Sequence, residues 1–172
     1  MRRIGNAEAL RFLKDSGADD ALIAHSEAVS KVASDIASRM VSNGLKADVE
    51  FIESAALLHD LGRTRTHGIL HGVEGAAILK DYPEYARVCE RHIGGGIGRL
   101  EAGALGLPVK DYIPETVEEK VVCYADKLVH GTRVADIGET VENFRRRLGR
   151  DHPTVGRILE LHREIQEWAR RP

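Results

Sequence analysis

The sequence predicts an all-α fold. Apolar residues recur at helical spacing almost throughout, no segment alternates in the manner of a strand, and no internal repeat is present. At 172 residues the chain can bury one substantial core, so one compact domain over residues 1–172, without a linker, is expected.

The elements follow in order from their stop signals. A short helix near residues 6–15 ends at Gly17. A long helix near 20–42 carries Ala24, Ala28, Val29, Val32, Ile36 and Met40 on one face, with His25 on that face, and stops at Asn43-Gly44. The next, near 47–61, buries Ile52, Ala55, Ala56 and Leu58, and Gly62 offers it a left-handed stop just after His59-Asp60. A helix opens at Leu70-His71 and runs to Asp81, where Tyr82-Pro83 breaks it; another runs from Pro83 to His92. The run Gly94-Gly95-Gly96-Ile97-Gly98 disfavours helix and reads as a flexible loop beside His92, a candidate substrate lid. After connections at Leu107-Pro108 and Tyr112-Ile113-Pro114, a helix over 115–130 turns Val121, Val122, Ala125, Leu128 and Val129 inward, with Asp126 among them. Two amphipathic helices, 136–149 and 153–170, complete the chain as an extension beyond a core of about 20–130, and the run Arg145-Arg146-Arg147 reads as a solvated face.

Composition removes several function classes. With 25 Lys+Arg against 27 Asp+Glu the chain is nearly neutral, which argues against duplex nucleic acid or an anionic membrane as partner. No window approaches the roughly 18 apolar residues of a membrane span, and a cytoplasmic protein is expected. Cys89 and Cys123, both inside helical patterns, read as small buried side chains, not as a disulfide. The low aromatic content marks no dimer face, and Trp168 is equally suited to the interior or to a partner.

The chemistry concentrates in His25, His59, Asp60, His71, His92 and Asp126, which lie at helix ends or on apolar faces. Any one of them has a structural explanation as a hydrogen-bonded core residue. Together they are harder to explain, because ionised carboxylates on apolar faces are costly unless paired or metal-bound, and a shared cation satisfies all six. Imidazole and carboxylate donors without thiolate suit Fe, Mn, Co, Ni, Zn or Mg, and exclude a Cys-rich zinc finger.

His25, then Leu-Leu-His59-Asp60-Leu-Gly-Arg63, then Ala-Asp126-Lys-Leu resemble the H…HD…D signature of the HD-domain phosphohydrolases over roughly residues 20–130. His71 in HGVEGA and His92 in ERHIGGG resemble the extra histidines of members that hold two metals. The resemblance implies an HD-type helical bundle in which His25, His59, Asp60 and Asp126 hold one ion, while Asp60 bridges to a second held by His71 and His92. It implies hydrolysis of a phosphate ester or anhydride on a small, nucleotide-like substrate by a metal-activated hydroxide; Asp60 is the bridging catalytic group, and Arg63 and Lys127, cations near the signature in sequence, are the candidates to meet the developing negative charge. The single His before a glycine-containing loop is similar to the HD-type dinucleoside tetraphosphate hydrolases. The double His and Gly-Tyr-Pro of the cyclic-dinucleotide phosphodiesterases are absent, which disfavours that substrate.

Supporting cations near the signature are Arg63, Arg65, Arg91, Arg99 and Lys127; Arg63 is the first choice, against a reading as a cation neutralising a helix C-terminus. His130, one turn beyond Asp126, is a candidate to orient it, against an ordinary helix-end role. Thr64, Thr66 and His67 lie in a polar loop, and His67, His152 and His162 read as surface residues. The competing functions are a di-iron oxygenase of the same fold and a non-catalytic nucleotide-binding module.

Overall fold

The computed structural model describes residues 3–170. Among them the chain forms nine α-helices: α1 (Asn6–Asp15), α2 (Asp20–Ser42), α3 (Val49–Leu58), α4 (His71–Ile78), α5 (Pro83–Arg91), α6 (Arg99–Ala104), α7 (Val117–Lys127), α8 (Ile137–Leu148) and α9 (Pro153–Arg170). A 3₁₀ turn spans Leu61–Thr64, and a two-stranded antiparallel hairpin pairs β1 (Val129–His130) with β2 (Arg133–Val134). The all-α class holds. No helix among the described residues is long and apolar enough to cross a membrane.

Local sequence explains where the helices start. Asp19 accepts a hydrogen bond from Leu22 N at 2.8 Å, Asp48 one from Phe51 N at 3.0 Å, and Thr116 one from Glu119 N at 3.2 Å, so α2, α3 and α7 each begin on a side-chain cap. Gly17 and Gly44, at φ 90° and 85°, follow the C-terminal ends of α1 and α2. Helix α2 lies along α3, and α7 packs against both. Val29, Ala33, Ile52, Ala56, Leu58, Val122 and Ala125 meet in a core that Leu161 and Ile165 of α9 also enter. Burial of a side chain such as Ile52 or Leu58 contributes about 1.5–3 kcal/mol. Trp168 packs on this core, with Lys120 Nζ 5.5 Å from its ring centroid.

Three expectations need correction, and one helix was not foreseen. Helix α7 stops at Lys127, not His130, because Gly131 at φ 64° turns the chain into the hairpin and Val129 enters β1. Helix α6 occupies a stretch without strong periodicity; Glu101 reaches back to accept from Gly98 N at 3.0 Å and starts it. Gly62 is not left-handed. Its role is close approach: a Cβ there would lie 1.8 Å from His71 O and 2.5 Å from Gly75 N. Finally, Gly94, Gly95 and Gly96 are buried, and a Cβ on Gly95 would meet Ile158 N of α9 at 2.8 Å. The glycine run is a packed seam under α9, so it is no lid.

Candidate metal centre

Four helix ends and one helix face deliver the six side chains to one point. His25 projects from α2. His59 caps α3, and Asp60 follows as the chain leaves the helix for the 3₁₀ turn. His71 is the first residue of α4, His92 caps α5, and Asp126 sits in the last turn of α7. The glycines of HGVEGA allow this convergence. Cβ atoms on Gly72 and Gly75 would meet Cys89 O at 2.8 Å and Cys89 Cβ at 3.2 Å, so α4 lies closer to α5 than any larger residue permits. Glu119, buried on α7, pairs with Arg91 at 2.8 Å and Arg87 at 3.2 Å and ties α5 to α7. No sequence signal marked Glu119.

The four imidazoles share one arrangement. Each Nδ1 donates to a backbone carbonyl: His25 to Gly131 O at 2.8 Å, His59 to Ala56 O at 2.6 Å, His71 to Gly68 O at 2.8 Å, and His92 to Cys89 O at 2.8 Å. A carbonyl only accepts, so each Nδ1 carries the proton and each Nε2 is left facing inward. There His25 Nε2 lies 3.2 Å and His59 Nε2 3.5 Å from Asp126 Oδ1, while His71 Nε2 and His92 Nε2 each lie 3.2 Å from Asp60 Oδ1. His71 Nε2 and His92 Nε2 are 3.1 Å apart. The His59 ring centroid is 5.5 Å from that of His25 and 4.9 Å from that of His92.

Each carboxylate divides its oxygens. Asp60 Oδ2 accepts from Arg63 Nε at 2.6 Å, and Asp126 Oδ2 accepts from the Lys127 ammonium, leaving both Oδ1 atoms to the imidazoles. Protons on all four Nε2 atoms would satisfy those contacts only by packing four imidazolium ions together, which burial and mutual repulsion oppose. Burial pushes His92 down to about 4, against the pull of Asp60. At His59 burial also lowers the pKa, but Asp60 and Asp126 outweigh it and hold the ring above 6.5. Burial pushes the Asp60 and Asp126 carboxyls up, yet Asp60 is held well below 3.8 by the histidines around it, and Asp126 by Lys127 and the histidines. Burial alone would lower Lys127; the adjoining Asp126 carboxylate keeps it charged. His59 Nε2 and Asp60 Oδ1 are buried with no hydrogen-bond partner. Inward-facing Nε2 atoms, ionised carboxylates and unpartnered buried atoms fit divalent cations.

The ligating atoms of His25, His59 and Asp126 lie within 4.8 Å of one another, as do those of His59, Asp60 and His92. His71 belongs to neither set, and its Nε2 meets Asp60 Oδ1 and His92 Nε2. Two cavities open on this centre and share His25, Asp60 and Arg63. The first, about 510 Å³, is lined also by Ala18, Leu22, Thr64 and His67. The second, about 350 Å³, is lined by Lys127, His130, Asn143, Phe144 and Arg147.

Of the five candidate cations, Arg63 and Lys127 reach the centre. Arg65 pairs with Glu74, Arg91 with Glu115 and Glu119, and Arg99 opens α6. His130 does not orient Asp126: its Nε2 meets Thr140 Oγ1 at 2.9 Å and its Nδ1 lies 3.3 Å from Glu139. His162 is half-buried and bonded to Tyr124 OH at 2.7 Å, and exposed His67 lines the first cavity. The cavity wall from α8 went unnoticed in sequence, although Thr140, Asn143, Phe144 and Arg147 are spaced to share one helix face.

An uncharacterised protein of Methanocaldococcus jannaschii is 45% identical over 92% of this chain and 95% of its own. Two proteins named tRNA (cytidine(56)-2′-O)-methyltransferase, from Picrophilus torridus and Thermoplasma volcanium, are 41% and 39% identical over 92% and 90% of this chain. The chain spans 45% and 44% of their lengths. No solved structure matches. A model of the HD domain matches residues 22–131, more than half of the chain, and that span holds all six converging side chains; the chain belongs to the HD domain family.

Proposed function

We propose that this chain is a metal-dependent phosphohydrolase that cleaves a phosphate ester or anhydride of a nucleotide-like molecule. The observation that carries the reading is the common orientation of the four histidines, each with Nδ1 spent on a carbonyl and Nε2 turned toward a buried carboxylate. His25, His59, Asp60 and Asp126 would hold one divalent ion; Asp60, His71 and His92 would hold a second. Fe, Mn, Ni, Co, Zn and Mg all accept such donors. Ions bound there would supply a water activated at neutral pH and counter-charge for phosphoryl oxygens.

The protein's own groups do the rest. The carbonyls behind each Nδ1 fix the imidazole tautomers. Arg63 spends Nε on Asp60 and lines both cavities, so its terminal nitrogens are placed to fork onto a phosphoryl oxygen pair. Lys127 holds the outer oxygen of Asp126 and stabilises the carboxylate as an anion. These two cations favour an anionic substrate over the oxygenase alternative.

The names of two relatives support a narrower second reading, in which the phosphate is borne by RNA or an RNA-derived nucleotide. The test is phosphate release from nucleoside monophosphates, dinucleoside polyphosphates and short oligoribonucleotides with added Mn, Fe, Ni or Mg. Release that is lost in Asp60→Asn supports the proposal. A protein that binds these metals yet releases nothing from any substrate, or whose activity survives Asp60→Asn, refutes it.

A further inference from the structure

In the run Arg145-Arg146-Arg147, Arg145 is half-buried and Arg146 and Arg147 are exposed, but the three differ in their partners. Arg146 donates to Asn143 Oδ1, and Arg145 lies 3.9 Å from Glu142. Arg147 has no such partner among the described residues and lines the second cavity, together with Lys127 and Arg63 from the metal centre. Thr140, Asn143, Phe144 and Arg147 present one face of α8 to that cavity.

The position of this face is fixed relative to the centre. Buried Thr140 donates its hydroxyl to Lys127 O at 2.6 Å and meets His130 Nε2 at 2.9 Å, which fastens α8 to the end of α7 that carries Asp126. Asn143 Oδ1 is engaged by Arg146, so its amide N–H groups remain as donors. Glu139 is already paired with Arg133 at 2.6 Å and adds little free negative charge. Arg147 is thus a cation beyond those a single phosphoryl group requires, whereas the first cavity, lined by Ala18, Asp19, Leu22, Thr64 and His67, has no Lys or Arg besides Arg63.

We infer that the second cavity is a subsite for a second phosphate group of the substrate, with Arg147 as its cation and Asn143 as a neighbouring donor. The inference rests on the phosphohydrolase reading, which places the first phosphate at the metal centre. It deepens that reading by naming a bis-phosphorylated nucleotide as the substrate class, with the organic part in the first cavity. Residues 143 and 147 lie outside the segment matched by the family, so the subsite belongs to this chain's C-terminal extension.

The test is equilibrium binding by calorimetry, with the Mn-loaded full chain, of the common ribonucleoside 3′,5′-bisphosphates and the corresponding 5′-monophosphates. Arg147→Gln is compared with wild type, and Arg150→Gln controls for the loss of one charge outside the cavity. The bisphosphate should bind wild type about ten-fold more tightly than the monophosphate, the scale of one charge-assisted hydrogen bond. Arg147→Gln should erase that advantage while monophosphate affinity shifts less than about two-fold, and Arg150→Gln should leave both alone. Bisphosphate affinity that survives Arg147→Gln, or monophosphate affinity that falls with it, overturns the subsite and leaves the hydrolase reading standing. Absence of binding by every nucleotide to protein that does take up Mn overturns both.

Discussion

Gly62→Ala tests how the centre is assembled. The added Cβ would sit 1.8 Å from His71 O and 2.5 Å from Gly75 N, where ordinary contact begins at 3.4 Å. Both neighbours are backbone atoms of α4, so no side chain can swing aside, and the helix itself must retreat by more than about 1 Å. Overpacking of a core costs about 1–3 kcal/mol when neighbours can adjust, and a rigid backbone neighbour places this substitution at about 3 kcal/mol or more. For a chain of this size that is a fall in Tm of about 6–12 °C. The same retreat carries His71 Nε2 away from Asp60 Oδ1, now 3.2 Å distant, while His25, His59 and Asp126 stand on α2, α3 and α7 and are not pushed. Thermal unfolding in chelator reads the first effect. Elemental analysis of the metal-loaded protein reads the second, with one ion expected per chain against two in wild type. A variant that melts within about 2 °C of wild type and keeps its full metal content would refute the packing argument.

Other perturbations reach different parts of the molecule. Glu101 links α6 to Arg157 of α9 at 2.8 Å; burial pushes its carboxyl up, but Arg157 and the Gly98 amide outweigh this and hold it below 4.5. Its contribution is therefore present above pH 4.5 and lost as pH falls through the lowered value, so Glu101→Gln should melt below wild type at pH 7 and converge with it in acid. Burial pushes the Cys123 thiol up to about 12, and Cys89 higher still, so neither should react with a thiol reagent at pH 8 until denaturant is added. Prompt labelling of the native protein would contradict their burial. Thr140→Val removes a buried hydroxyl that serves Lys127 O and His130 together, and should cost about 1–3 kcal/mol in urea unfolding. An unchanged midpoint would show that α8 is held by other contacts.

Much of the site was legible in the sequence because its side chains obey local rules. Helix ends were marked by Gly17, Asn43-Gly44 and Pro83, and the histidines and aspartates beside such ends and on apolar faces, each explicable alone, stood out as a set that also matches the H…HD…D signature. What stayed hidden depends on which elements cross. Gly62 looked like a left-handed stop because a glycine after a helix commonly is one; only the passage of α4 over it makes it a contact glycine. The run at 94–96 looked mobile because glycines weaken helices, whereas the absence of side chains is what lets α9 lie against it. His130 follows Asp126 by one helical turn in sequence, but Gly131 turns the chain into a hairpin and redirects the ring to Thr140 and Glu139. Arg147 looked like one of three equivalent arginines. Its neighbours' pairing and the anchorage of α8 by Thr140 separate it from them.

Six side chains around a shared carboxylate are proposed to hold two ions, and elemental mass spectrometry on protein purified without chelator, compared with a His71→Ala/His92→Ala variant and with Asp60→Ala, counts them. Two transition-metal ions per chain in wild type, one in the double histidine variant and neither in Asp60→Ala are expected. Metal near zero that no added cation restores, or full occupancy in all three folded proteins, would contradict the proposal.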